Sequence, residues 1–381
     1  MRWSIFICGS GLLCLAAWID NMRGPLLPAI TALLSLDNAA ASLIMSLGNL
    51  VAMTTTWLLM PLLNRWSLKQ VGLGVLMYTV AVCSAAVYVD NSTRMFLWGA
   101  LLGGSISTLG SLSNLYVQSG ILPAIRGQMM SALHSLYGLT SFFAPWVAGI
   151  VLTEPRNWPV LFTSVAPAAA LLALFIYFRG PKSGDKKTRK SQAQPLTLSP
   201  IHILTISVLI SYVVGEVLTS TWMTSFLVHE HGLSIKEASF YTSMFFAAML
   251  VTRMGCGVIA RPRWHRFLIW TSLAVALVCF VAGRLTGWIW LLPLAGLFGP
   301  FFPLYVTWVS LRFPERDRSM VIWMLSGMQA ALSVMNYLTG RLADAAGFSV
   351  AFWLPAGMMA LTMILLKILE IQDQHLTNSN T

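Results

Sequence analysis

Charge is scarce in this chain: Asp, Glu, Lys and Arg make up 10% of 381 residues, where a soluble protein carries about 25%. No stretch is polar and long enough to fold as a separate aqueous domain, which points to a polytopic membrane protein. Cysteine is equally sparse. Cys8, Cys14, Cys83, Cys256 and Cys279 all fall in apolar runs without metal-ligand spacing, and they read as buried small hydrophobes. Also missing are a His-x-x-x-x-Asp pair, a His-Glu-x-x-His helix and a nucleotide-binding loop, so a membrane-embedded enzyme has no catalytic group to build on. The cluster His229-Glu230-His231 reads as a short outer loop without further ligands nearby. No cofactor and no metal site is expected.

Apolar length fills the space that charge leaves. Hydrophobic residues reach 57% and group into twelve runs of about 20 residues, the length that crosses a bilayer as a helix. They lie near 4–34, 39–63, 70–89, 94–118, 128–152, 158–178, 201–228, 238–259, 266–284, 288–311, 319–341 and 347–369. The first is too long for a cleaved signal and lacks a small-residue cleavage site, so it is read as a retained helix. With the N-terminus inside, 17 of the 24 Lys and Arg fall on the inner side. Arg94, Arg156, Lys236, Arg284 and Arg341 fall outside, and Arg23 and Arg253 lie within helices. That asymmetry places both termini in the cytoplasm. The net charge of +11 is thus a topology signal that meets the lipid bilayer surface and not a nucleic-acid footprint. The expected fold is an all-α membrane protein with twelve transmembrane helices.

Near the midpoint lies the one long polar stretch, RGPKSGDKKTRKSQAQPLTLSP at 179–200, basic and rich in Ser, Gly and Pro. It predicts a flexible cytoplasmic linker between six-helix bundles at 1–178 and 201–381. The halves echo each other: LYV at 115–117 recurs at 304–306, and Gly149 is matched by Gly340. A spacing near half the chain length indicates a duplicated unit.

Two six-helix repeats joined by a cytoplasmic linker resemble the major facilitator transporters. The resemblance implies two pseudo-symmetric bundles with a midplane substrate site that rocks between inward and outward access. The family's inner-loop motif is degraded here. Arg65 and Lys69 match it, but Asn64 stands for its Asp and Met60 for its Gly; in the second copy Arg261 takes the Asp position. Those residues imply an inner gate. More narrowly, YVVGEVLTSTWMTSFL (212–227), NLY (114–116) and MMSALHSLYGLTSFFAP (129–145) resemble the fucose–galactose–gluconate proton symporter branch, which implies a proton-coupled importer of a small polar solute. That branch has an acid four residues before the Asn matched by Asn114, where this chain has Gly110.

A charge at the bilayer centre costs about 2.5–3.5 kcal/mol on insertion scales, so ionisable residues inside helices are candidates for function. Asp20 and Glu216 stand 196 positions apart, close to the repeat offset, one in the first helix of each half. Both are candidates for proton coupling, with a packing hydrogen bond the bland alternative for Glu216. Arg23, three residues after Asp20, shares its helix face and either pairs structurally or meets substrate; Gly24-Pro25 then interrupts the helix. His134 suits a proton relay or a satisfied core position. Arg253 reads as a gate or packing residue, with substrate contact the alternative. Trp18, Trp222 and Trp308 lie deep enough to stack on a sugar ring or simply to pack. Asn49, Asn114 and Gln329 are hydrogen-bonding candidates for a substrate. Trp3, Trp66, Trp158, Trp264, Trp270, Trp288 and Trp290 read as an interfacial belt.

Two other transporter readings stand beside sugar or sugar-acid import. An exporter of amphipathic compounds is weakened by Ala144 and Ala148, where its fifth-helix signature has glycines. A carrier of a larger nutrient such as a metal chelate is compatible with the motifs. The cavity would be complete within one chain, so a monomer suffices, and short loops suggest a bacterial inner membrane.

Overall fold

The computed structural model describes residues 3–120, 126–181, 199–259, 264–313 and 317–378. These are almost wholly helical, with no strand among them. Crossing segments follow from apolar length, and their ends from capping chemistry. Asp37 caps α3 (Asn38–Arg65) by accepting from the Ala40 N–H. Ser67 and Gln70 form a reciprocal capping box on α4 (Leu68–Ser84). Gly232, in the left-handed region at φ 64°, closes α9 (Pro200–His231).

Nine stretches among the described residues are long and apolar enough to cross a membrane. They include the first span, broken into α1 (Trp3–Asn21) and α2 (Arg23–Leu34), and α5 (Ser92–Gly120). The sixth is built from α7 (Trp158–Thr163) and α8 (Val165–Arg179). Three more helices complete the twelve: α6 (Arg126–Val151), α10 (Ile235–Ile259) and α13 (Asp317–Ala346). The ninth is α11 (His265–Thr286). The tenth begins as tight turns over Ile289–Leu291 and Pro293–Phe298 and continues as α12 (Phe301–Arg312). The last joins α14 (Phe348–Ala351) to α15 (Leu354–Asn378).

Burial repeats through the chain with the same period as the sequence echo. In their most apolar windows the first, fourth, seventh and tenth spans bury 50–56% of their residues, against 28–39% for the third, sixth, ninth and twelfth. The former are central and the latter line the periphery. Buried apolar side chains gather in two main clusters, one drawn from residues 5–176 and one chiefly from 206–369. Between the two halves, α3 packs on α13, α6 on α10, and α2 on α9.

One seam between the halves is pinned by charge. At the face opposite the termini, Asp344 at the end of α13 meets the N-terminus of α3, where backbone N–H groups have no helical partner. The Asn38 N–H and Nδ2 both donate to Asp344 Oδ1 at 2.9 Å, and the Ala39 N–H donates to Oδ2 at 2.8 Å. The backbones come so close that a Cβ on Gly340 would collide with the Asn38 carbonyl oxygen. Further in, Ser333 Oγ donates to the Ser46 carbonyl at 2.8 Å across the same seam.

Two expectations are corrected. His229-Glu230-His231 is not a loop but the last turn of α9; His229 stacks on Phe348, and Glu230 accepts from the Ser349 N–H at 2.9 Å. Trp158 is not an interfacial residue. It is buried in the N-terminal cluster against Trp98, 5.2 Å between ring centroids.

Candidate functional site

The break in the first span follows from its prolines. A helical residue donates its N–H to the carbonyl four places earlier, and Pro25 has none to give Asn21. The chain turns at Met22 and resumes as α2, whose Gly24 lets its backbone approach the Ser220 and Thr221 carbonyls of α9. Asp20 and Arg23 flank this break. The Arg23 guanidinium donates to Asp20 Oδ1, and its Nε lies 3.4 Å from the Asp20 carbonyl. Arg23 is the more enclosed, 12% exposed against 30% for Asp20.

Beside them lies a central cavity of about 70 Å³, room for a few waters. Its walls come from five segments and both halves. Asp20 and Arg23 stand on the first span; Met45, Asn49 and Ala52 on α3; Gly103, Ile106 and Ser107 on α5; Val217 and Thr221 on α9; and Gln329, Leu332 and Asn336 on α13. Gln329 Oε1 is buried without a hydrogen-bond partner among the described residues, an acceptor left open on the wall of a polar site. Asn336 is held by two bonds: its Oδ1 accepts the Trp222 indole N–H at 3.0 Å, and its Nδ2 donates to the Leu332 carbonyl.

A second ion pair stands at the seventh span. Glu216 has no cation on its own helix within one turn, but α10 supplies one: Arg253 Nη2 lies 3.4 Å from Glu216 Oε1, both about one-sixth exposed. Arg253 Nε also donates to the Gly299 carbonyl at 3.0 Å. Tyr212 lies within electrostatic reach of both Glu216 and Arg253, and it donates its hydroxyl to the Phe298 carbonyl at 3.3 Å. Between the pairs stands Tyr137 of α6. It stands beside Asn21 and lies within electrostatic reach of Asp20, Glu216 and Arg253. Asn21 in turn donates to Ser141 Oγ at 3.0 Å.

The candidates from sequence therefore divide. Asp20, Arg23, Asn49 and Gln329 line one cavity, while Glu216 and Arg253 form the neighbouring pair. His134 stands on α6 within electrostatic reach of Arg253. Asn114 is apart from the cavity walls; its Nδ2 donates to the Gly110 carbonyl at 3.2 Å and its buried Oδ1 is unpartnered among the described residues. Trp222 is fully buried and packs beside Phe348, its N–H orienting Asn336. Trp18 packs partly buried on the N-terminal cluster, and Trp308 on the C-terminal one beside Tyr305. Arg65 is exposed, and Lys69 lies over the Tyr177 ring at 5.1 Å. Arg261 lies outside the described residues. Sequence reasoning missed Tyr137, Asn21, Ser107, Thr221 and Asn336. The signal for Tyr137 was within reach: it falls in the quoted fifth-helix segment.

The sequence profile of the Major Facilitator Superfamily matches residues 9–298, well over half of the chain. The chain belongs to the major facilitator superfamily. It is an integral multi-pass membrane transporter and not an enzyme. No curated protein matches it in sequence. Solved structures of similar fold include the D-xylose–proton symporter (TM-score 0.74, 15% identity, covering 95% of this chain and 97% of that one). The nucleoside transporter NupG gives a TM-score of 0.68 at 14% identity, covering 97% and 98%. FucP in an outward conformation gives 0.66 at 14%, covering 96% and 98%. The narrower branch suggested by the sequence motifs is thus one of several neighbours of this major facilitator fold.

Proposed function

We propose that this transporter imports a small polar solute, a sugar or sugar acid, together with protons by alternating access. The observation that carries the reading is the pairing of two carboxylates, one on the first span of each half, with two arginines, the Asp20–Arg23 pair lining a polar cavity shared by both halves. A carboxylate enclosed in a low-dielectric site is disfavoured as the anion, and a guanidinium beside it restores the anion. A group balanced between these influences takes a proton when its partner is drawn away and releases it when the partner returns. Substrate bound at Arg23 is such a competitor. Its hydroxyls or carboxylate would accept from the guanidinium while a donor satisfies Gln329 Oε1, and Asp20 would be released to accept a proton.

In this reading Asp20 and Glu216 are the coupling acids, and Arg23, Asn49, Gln329 and Asn336 contact substrate. Residues 1–178 and 201–381 rock about the 179–200 linker, with both termini cytoplasmic in a bacterial inner membrane and one chain as the working unit. Arg65, Lys69 and Arg261 belong to the inner gate. Among solved neighbours, one is described as a D-xylose–proton symporter and one as a nucleoside transporter, which supports a polyhydroxylated neutral solute as the first class to test. The cavity at 70 Å³ is smaller than such a solute, so its walls part on loading.

The test separates coupling from binding. Glu216→Gln is expected to abolish uphill uptake into proteoliposomes while solute exchange across an equal gradient persists. Uphill uptake retained in that variant would remove Glu216 from the coupling role.

A further inference from the structure

The tenth span carries a break that no sequence expectation anticipated, and its chemistry is tied to Glu216. The segment GLFGPFFP (296–303) contains two prolines, each removing an N–H from the helical ladder. The carbonyl of Gly299 would ordinarily accept from residue 303, which is Pro303. Helix α12 begins at Phe301 with Leu304 N–H donating to the Pro300 carbonyl, so the carbonyls just before it are orphaned. Buried orphans of this kind are costly unless another group donates. Here the donors are side chains of two other spans: Arg253 Nε gives to Gly299 at 3.0 Å, and the Tyr212 hydroxyl gives to Phe298 at 3.3 Å. The eighth span lies tightly against the break, where a Cβ on Gly296 would collide with the Phe245 carbonyl oxygen and one on Gly299 would sit 2.9 Å from that of Met249.

One guanidinium is therefore shared between a carboxylate and the break. We propose that Arg253 is a positioning residue that transmits the charge state of Glu216 to the discontinuity in the tenth span. With Glu216 ionised, the fork of Arg253 is fixed at both ends and holds residues 296–303 in their bent form. With Glu216 neutral, the guanidinium loses its counter-charge and its fixed angle, and the break is released to rearrange. The groups facing this fork are Glu216 and Tyr212 from α9, and Tyr137 and His134 from α6. Lysine cannot replace it, because a point ammonium lacks the two separated donors of the fork. The inference rests on the reading that Glu216 changes charge during transport.

Hydrogen–deuterium exchange on the purified, substrate-free full chain tests the link without any assay of transport. In Glu216→Gln, the amides of residues 296–305 are expected to exchange about tenfold faster than in the parent, the effect of loosening one hydrogen bond to a charged group. Arg253→Lys should give the same rise in the same peptide. Adding Pro303→Ala to Glu216→Gln restores a backbone donor to the Gly299 carbonyl, and protection should return, an outcome that a generally loosened protein would not give. Parent-like exchange in Glu216→Gln overturns the link. So does a rise that Pro303→Ala fails to reverse. Should Arg253→Lys not fold, the Glu216→Gln and double variants alone decide. A link upheld here with uptake that never moves protons would defeat the coupling reading and leave the link standing; proton-linked uptake with parent-like exchange would do the reverse.

Discussion

Asp344 offers a measurable handle on how the two halves part. Removing its carboxylate by Asp344→Ala deletes three hydrogen bonds from one half to the α3 N-terminus of the other, at 2.8–2.9 Å. Bonds to a charged acceptor are worth about 1.5–3 kcal/mol each when shielded. This carboxylate is exposed and water competes for it, so the sum is discounted to about 1–2 kcal/mol, the upper end for an anion at a helix N-terminus. If the face opposite the termini opens and closes as a two-state equilibrium, that loss multiplies the open-to-closed ratio by about 5–30. Ala32 and Ala345 are both exposed near this face. Spin labels at Ala32→Cys and Ala345→Cys, on a background with the five native cysteines replaced, report the separation across it by electron–electron dipolar spectroscopy. The longer-distance population should grow by that factor in Asp344→Ala. It should grow less in Asp344→Asn, whose amide oxygen still accepts from the backbone. A distance distribution identical to the parent's in the alanine variant would refute the reasoning that the Asp344 bonds hold this face closed.

The central site yields its own tests. Removing one charge of the Asp20–Arg23 pair leaves the other uncompensated and should cost about 3–5 kcal/mol of stability; in Asp20→Asn with Arg23→Gln the melting temperature should recover while uphill transport stays absent, whereas recovered transport would make the pair purely structural. Gln329→Leu removes an acceptor that no described residue satisfies. It should raise KM about tenfold, the loss of one substrate hydrogen bond, with the melting temperature unchanged or higher; an unchanged KM would take Gln329 out of the substrate contacts. Trp222→Phe strands Asn336 Oδ1, a buried acceptor whose desolvation costs about 1–3 kcal/mol, and should lower the melting temperature and raise KM together. A melting temperature equal to the parent's would show that bond to be dispensable.

The crossing segments were legible because the bilayer imposes length and apolarity on each one locally. Asp20 and Arg23 were legible as a pair for a similarly local reason: residues three apart on a helix are neighbours in space. Glu216 was legible as an acid at the matching depth, but its partner was not, since Arg253 reaches it from the next span. Asp344 and Asn38 are separated by 306 positions, and only the packing of α13 on α3 brings them together. The break in the tenth span was hidden by composition, because GLFGPFFP is apolar enough to pass as continuous helix. Trp222 and Trp158 show the limit from the other side. An indole placed by depth along a helix has no assigned direction until its neighbours are known, and both turned inward.

Whether solute and protons move together is decided by following external pH in weak buffer around liposomes that hold the purified protein. D-xylose, other neutral sugars, nucleosides, sugar acids and amphipathic cations are added one at a time. A proton-linked importer makes the external medium more alkaline on adding one polyhydroxylated solute, and Asp20→Asn and Glu216→Gln abolish the change. Proton movement on adding an amphipathic cation, with every sugar, sugar acid and nucleoside silent, would contradict proton-linked import and identify an exporter.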